Sequence, residues 1–183
     1  MLNQARQFTC ERRSWLLLAA SALLLELIAL VFQYGMDLKP CVYCIYVRLA
    51  VFSLLAVALI TAIRPGYKPL RTFGFLGWAG ASAWALSLNL SLHAKQTAPP
   101  TLFGSTCDAI PNFPAWAPLH EWLPSVFMPT GDCSDSPWSF LGLSMAQWLI
   151  GLFVAHLLLC LLFWLTTLTE KRSGGECCGG SCH

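Results

Sequence analysis

Lys39-Pro40-Cys41-Val42-Tyr43-Cys44-Ile45-Tyr46-Val47-Arg48 is the stretch whose residue types and spacing could do chemistry. A Cys-x-x-Cys pair is close enough to close a small disulfide. Where such a pair opens a helix, unpaired backbone N–H groups favour a thiolate, and motifs of this kind commonly lower a thiol pKa. Arg48 stands one helical turn beyond Cys44 and so shares its face. A guanidinium there could hold an anionic sulfur or an oxygen of a bound oxidant. Three readings compete: a redox dithiol, half of a metal site, or two cysteines that happen to lie close. Structural zinc sites usually draw on two closely spaced ligand pairs. The next cysteines, Cys107 and Cys133, are far apart and form no second knuckle, which favours a disulfide over a metal.

The elements that must position these residues follow from composition. The 183-residue chain is 56% hydrophobic and only 11% charged, against roughly 25% charged in soluble proteins. It has too little polar surface to cover a water-facing globule, so it reads as a membrane protein. Its net charge of +2 gives no reason to invoke nucleic acid. Four apolar runs, 15–32, 42–63, 72–92 and 145–167, are long enough to cross a hydrocarbon core of about 30 Å. The first is interrupted only by Glu26, and the second contains Arg48 and stops at Arg64-Pro65-Gly66, a helix-ending combination. In the third, Gly74, Gly77 and Gly80 are small residues that allow close helix packing. A signal peptide competes for the first run, since Arg6, Arg12 and Arg13 precede it. The run exceeds the ~7–15 residues of a signal core and no small-x-small cleavage site follows, so an uncleaved helix is expected.

Lysine and arginine set the direction. Arg6, Arg12, Arg13, Arg64, Lys68, Arg71, Lys171 and Arg172 fall on one side, and only Lys39 and Lys95 on the other. Both termini are therefore expected in the cytoplasm. That places Cys41 and Cys44 at the outer mouth of the second helix, with Cys107 and Cys133 in the outer loop, 93–144. These four cysteines share the oxidising side, where disulfides persist. Cys10, Cys177, Cys178 and Cys182 fall on the cytoplasmic side, and Cys160 lies within the fourth helix. The outer loop is dense in proline and carries Phe113, Trp116, Trp122, Phe127 and Trp138. Prolines at this density preclude a long helix, leaving room for a short one between Pro118 and Pro129. Its tryptophans prefer the headgroup layer, so the loop is expected to lie along the membrane surface.

At this point the sequence closely resembles the DsbB family, bacterial inner-membrane quinone reductases that reoxidise the periplasmic dithiol oxidase DsbA. The resemblance spans about residues 10–167. It rests on Glu26, Lys39-Pro40-Cys41-Val42-Tyr43-Cys44-Ile45-Tyr46 with Arg48, Thr106-Cys107-Asp108, Gly131-Asp132-Cys133, and Phe140-Leu141-Gly142-Leu143 leading to Gln147-Trp148. It implies an all-α membrane protein: a four-helix transmembrane bundle, residues 1–168, whose long outer loop carries a short membrane-surface helix. A cytoplasmic Cys/Gly-rich tail, 169–183, follows and is not part of the resemblance. It also implies an electron relay. The thiolate of a DsbA-like, thioredoxin-fold partner would attack Cys107 and release Cys133. Electrons would pass to the Cys41/Cys44 pair, and Cys44 would reduce a quinone, ubiquinone in preference to menaquinone, held near Arg48. His93, at the outer end of the third helix, and Met145, at the start of the fourth, are the matching candidates for further quinone contacts. The spacing from His93 to Cys107 is one residue longer than the family pattern. For the DsbA–DsbB–quinone system the potentials are established: DsbA lies at about −120 mV and thioredoxin at about −270 mV. A thioredoxin-like disulfide would oxidise DsbA uphill by roughly 7 kcal/mol for two electrons, which calls for a stronger acceptor.

Other residues stay open. Glu26 is an intramembrane acid, with a functional role and a structural carboxyl equally in view. His156 and Cys160 share a helix face without a further ligand at that depth, which favours packing. The tail, with Cys177, Cys178, Cys182 and His183, could bind a soft or borderline metal or be an appendage without function. The competing reading of the whole chain is a non-enzymatic membrane protein with structural outer disulfides and a metal-binding tail.

Overall fold

The structure is a computed structural model that describes residues 8–97, 111–113, 118–133 and 138–173, with side chains to Thr167. Four long helices dominate. Helix α1, Arg12–Leu30, continues into a π-helical turn, Val31–Gly35. Helix α2 is Val42–Ile63 and α3 is Lys68–Thr97. Two single-turn helices follow, α4 (Leu119–Trp122) and α5 (Pro124–Phe127), both between Pro118 and Pro129 where the sequence left room for a short helix. A two-stranded hairpin, β1 (Ser139–Phe140) with β2 (Leu143–Ser144), leads into α6, Met145–Ser173. Its connecting residues Leu141 and Gly142 both have positive φ, the backbone that matches a hairpin's twist.

This is an all-α membrane protein apart from that hairpin. Three stretches, Arg12–Gly35, Val42–Ile63 and Met145–Thr167, are long and apolar enough to cross a membrane. Helix α2 keeps the predicted bounds, but α3 extends beyond 72–92 at both ends. Its added turns hold Lys68, Arg71, Lys95 and Gln96, polar residues that a hydropathy reading leaves out although they continue the helix. Helix α2 packs between α1 and α3, and α3 packs on α6.

The core is built where small residues let helices approach. Trp15, Phe75 and Trp78 meet in edge-on and stacked contacts around Ala19, Ala22, Leu54, Ala58 and Phe153. A methyl at Gly74 would stand 2.5 Å from Thr61 Oγ1 and 2.7 Å from the Trp15 ring, and one at Gly77 would stand 2.7 Å from Val57. These two glycines are close-approach sites. Gly80 is not: a methyl there meets nothing within 4 Å. At about 100° per residue, six positions turn Gly80 well away from the Gly74 face. His156 and Cys160 also serve packing, His156 against Trp78 and Phe153 and Cys160 against the Phe75 carbonyl. At the end of the bundle remote from Cys41, Arg71 donates to the sulfur of Cys10, which is disulfide-bonded.

Candidate functional site

Pro40 ends the extended approach to α2, and Cys41 takes the N-cap position with β-region backbone. Its Sγ accepts a hydrogen bond from the Cys44 backbone N–H at 3.4 Å, satisfying one of the helix's unpaired donors. The two sulfurs lie 3.0 Å apart as free thiols, one donating to the other. The hydrogen bond with Cys44 and then burial push the Cys41 thiol well above the ordinary thiol range.

Arg48 is only 6% exposed. Its Nη1 donates to Gln33 Oε1 at 2.5 Å and to the Val126 carbonyl at 3.1 Å, and its Nη2 to the Ala29 carbonyl at 3.2 Å. The π-helical turn makes this geometry, as such turns often do at functional sites. It brings Gln33 and Tyr34 onto the carbonyl of Ser125, at 2.9 and 2.5 Å. Arg48 thus ties α2 to the end of α1 and to α5 of the outer loop.

The outer loop returns to the cysteine pair through its backbone. The N–H groups of Thr130 and Gly131 both donate to the Pro40 carbonyl, at 2.9 and 3.0 Å. Gly131 lies so close to Lys39 that an added methyl would collide with the Lys39 carbonyl. Two residues on, Cys133 is 1% exposed, disulfide-bonded, and packed in one buried cluster with Cys41, Leu92 and Ala146, against Tyr43 and Cys44. Cys107 lies outside the described residues. Aromatic contacts hold the loop over the helix mouths: Phe113 packs on Tyr46, His120 and Phe127, and Trp138 on Phe32 and Phe140.

Beside the cysteines opens a cavity of about 660 Å³. Cys44, Arg48, Met145 and Trp148 line it, as do Glu26 and Asn89. The walls are mainly aliphatic and aromatic, which suits a flat lipid-soluble ring. Two buried acceptor atoms on residues that line it, Glu26 Oε1 and Asn89 Oδ1, have no hydrogen-bond partner among the described residues. A donor, Arg48, set in apolar walls fits a quinone, a flat ring whose two oxygens only accept. Met145, at the start of α6, lines the cavity. His93 does not line the cavity; Asn89, Leu92 and Gln96 are the α3 residues that do.

Comparison with known proteins agrees with these features. The family model for "Disulfide bond formation protein DsbB" matches residues 11–163. The chain belongs to the DsbB family. Among DsbB relatives, "Disulfide bond formation protein B" of Shewanella sp. (strain MR-4) is 50% identical over 166 residues, 91% of this chain and 94% of the relative. Its namesake in Psychromonas ingrahamii is 50% identical over 172 residues, 94% and 92% of the two chains. That of Shewanella frigidimarina is 48% identical over 171 residues, 93% and 100%.

Three residues of this DsbB site escaped the sequence reading. Gln33 sits just past an apolar run, and its partner Arg48 is on another helix. Gly131 was noticed as part of a motif but not as a contact with Lys39. Asn89 had a usable signal, a carboxamide within a membrane-length helix, where polar side chains commonly bond across helices.

Proposed function

We propose that this disulfide-generating oxidoreductase reoxidises a periplasmic DsbA-like protein and relays the electron pair through Cys107/Cys133, then Cys41/Cys44, to a membrane quinone. The observation that carries this reading is the placement of the inner pair. Cys41 packs with Cys133, while Cys44 and Arg48 open on the apolar cavity.

The steps are thiol–disulfide exchanges. The partner's thiolate attacks Cys107 of a Cys107–Cys133 disulfide, and Cys133 leaves as a thiolate. The partner's second thiol resolves the mixed disulfide, so the partner departs oxidised and the loop pair is a dithiol. Cys133 then attacks Cys41 of an oxidised Cys41–Cys44 pair, and Cys44 leaves. Cys107 closes the loop disulfide again. Two electrons and two protons now reside on Cys41 and Cys44. A quinone bound in the cavity supplies a two-electron, two-proton acceptor. Arg48 would donate to a ring oxygen, and Met145 would form part of the wall. His93 is proposed as a contact from the neighbouring face of α3.

In this reading α3 also crosses the membrane, making a four-helix bundle in the bacterial inner membrane with both termini cytoplasmic. The short helices α4 and α5 lie at the periplasmic surface, and ubiquinone is the expected acceptor. The test supplies reduced DsbA-like protein and a short-chain ubiquinone to the purified protein and follows quinone absorbance. Absorbance should fall in step with partner oxidation. Normal turnover by Cys44→Ser would overturn the relay.

A further inference from the structure

Asn89 and Glu26 are the buried polar groups that the relay leaves unused. Asn89 is 0% exposed and Glu26 3%, on α3 and α1 respectively, and both line the cavity that holds Cys44 and Arg48. Asn89 Nδ2 donates to the Ala85 carbonyl at 2.8 Å, which fixes the amide so that its oxygen is the unused end. That oxygen, and Glu26 Oε1, have no partner among the described residues. Leaving a buried acceptor unpaired in a low-dielectric interior is costly, so each such atom calls for an explanation.

The polar residues that line the cavity differ in hydrogen-bonding sense. Arg48 can only donate hydrogen bonds. The Asn89 carbonyl can only accept, and a carboxyl keeps acceptor lone pairs whether or not it carries a proton. A quinone presents two oxygens that only accept. Reduction moves two electrons and two protons from the Cys41/Cys44 dithiol to the ring. It leaves a disulfide behind and turns both ring oxygens into hydroxyl donors. The Asn89 carbonyl, and Glu26 as a carboxylate, therefore have nothing to offer the oxidised ring and a ready partner in the reduced one.

We infer that Asn89 and Glu26 bind the hydroquinone in preference to the quinone, making the acceptor a stronger oxidant when bound than when free. This rests on the quinone reading above, and it names which redox form the site selects. Asn89 and Glu26 act as binding residues for the reduced ring.

Equilibrium binding tests it. A Cys41→Ser/Cys44→Ser parent, unable to exchange electrons with the ring, is titrated by calorimetry with a short-chain ubiquinone and, under argon, with its hydroquinone. The parent should bind the hydroquinone more tightly. Adding Asn89→Leu should weaken hydroquinone binding about tenfold, as loss of one buried hydrogen bond implies, and leave quinone binding within about twofold of the parent. Glu26→Leu carries the same expectation, so if one variant does not fold the other decides. A parent that binds both forms equally overturns the inference while leaving the quinone reading intact. So does a folded variant that weakens both forms alike or neither. A parent that binds neither form overturns both.

Discussion

Replacing Gly131 by alanine should uncouple the two cysteine pairs without removing either. The added methyl would strike the Lys39 carbonyl oxygen and stand 3.0 Å from its carbon. These are backbone atoms, so no side-chain rotation relieves the contact. Restoring a normal separation of about 3.5 Å moves the segment by roughly 1 Å. The hydrogen bonds from Thr130 and Gly131 to Pro40, at 2.9 and 3.0 Å, are then lost. At about 1 kcal/mol each, that loss alone lowers the docking equilibrium constant roughly thirtyfold. A misplacement of roughly 1 Å between reacting groups can cost about a hundredfold in rate. Mixing the variant with excess reduced partner, quenching by thiol alkylation and resolving the two pairs by mass separates the steps. The first equivalent of partner, oxidised by the loop pair, should be consumed at the wild-type rate. Alkylation of Cys41 and Cys44 should lag by about thirty- to a hundredfold. Wild-type speed in both steps, or equal slowing of both, would refute the argument that Gly131 aligns Cys133 with Cys41.

The other predictions concern single contacts. Cys107→Ser should abolish oxidation of the protein partner while leaving the protein membrane-inserted, checked by partner thiol titration on membranes. Arg48→Lys should raise the quinone KM about tenfold or more, because an ammonium cannot reproduce a planar fork that reaches Gln33, Val126 and Ala29 together; quinone-dependent kinetics at saturating partner give the number. Gly74→Ala should destabilise the bundle by about 1–3 kcal/mol through its contacts with Thr61 and Trp15. Gly80→Ala should be neutral or slightly stabilising, and detergent unfolding of the pair compares them.

Helix α2 was legible to the residue because a proline-led turn and the Arg64-Pro65-Gly66 stop are local signals. The ends of α3 were not, since hydropathy marks where a helix is apolar, while Lys68 and Lys95 extend it with polar residues. The cysteine pair and Arg48 were legible as types and spacing on one helix face. What the sequence could not show was how the loop reaches them. Thr130 and Gly131 dock by backbone N–H groups onto a carbonyl some ninety positions earlier, and main-chain hydrogen bonds carry no residue signature apart from the glycine that permits the approach. The three-position spacing of Gly74, Gly77 and Gly80 misled for a related reason: a stripe counted along the chain drifts around the helix.

An arginine this near the mouth of a membrane helix could snorkel outward to headgroups, and the surroundings of Arg48 argue against that. A snorkelling guanidinium keeps its charged head in polar surroundings, whereas this one is buried and its observed bonds go to neutral acceptors from three segments. No acidic group makes a contact ion pair with it among the described residues. An arginine has five N–H donors, and the three bonds seen here leave capacity for a ligand in the cavity that it lines. One of those bonds comes from Val126, on the same loop that carries Gly131 and Cys133. Docking of that loop therefore does two things at once: it seats Cys133 against Cys41 and fixes the guanidinium at the cavity wall. In the proposed relay, the side of the Cys41/Cys44 pair that receives electrons and the side that delivers them are thus both set by the docking of residues 118–133.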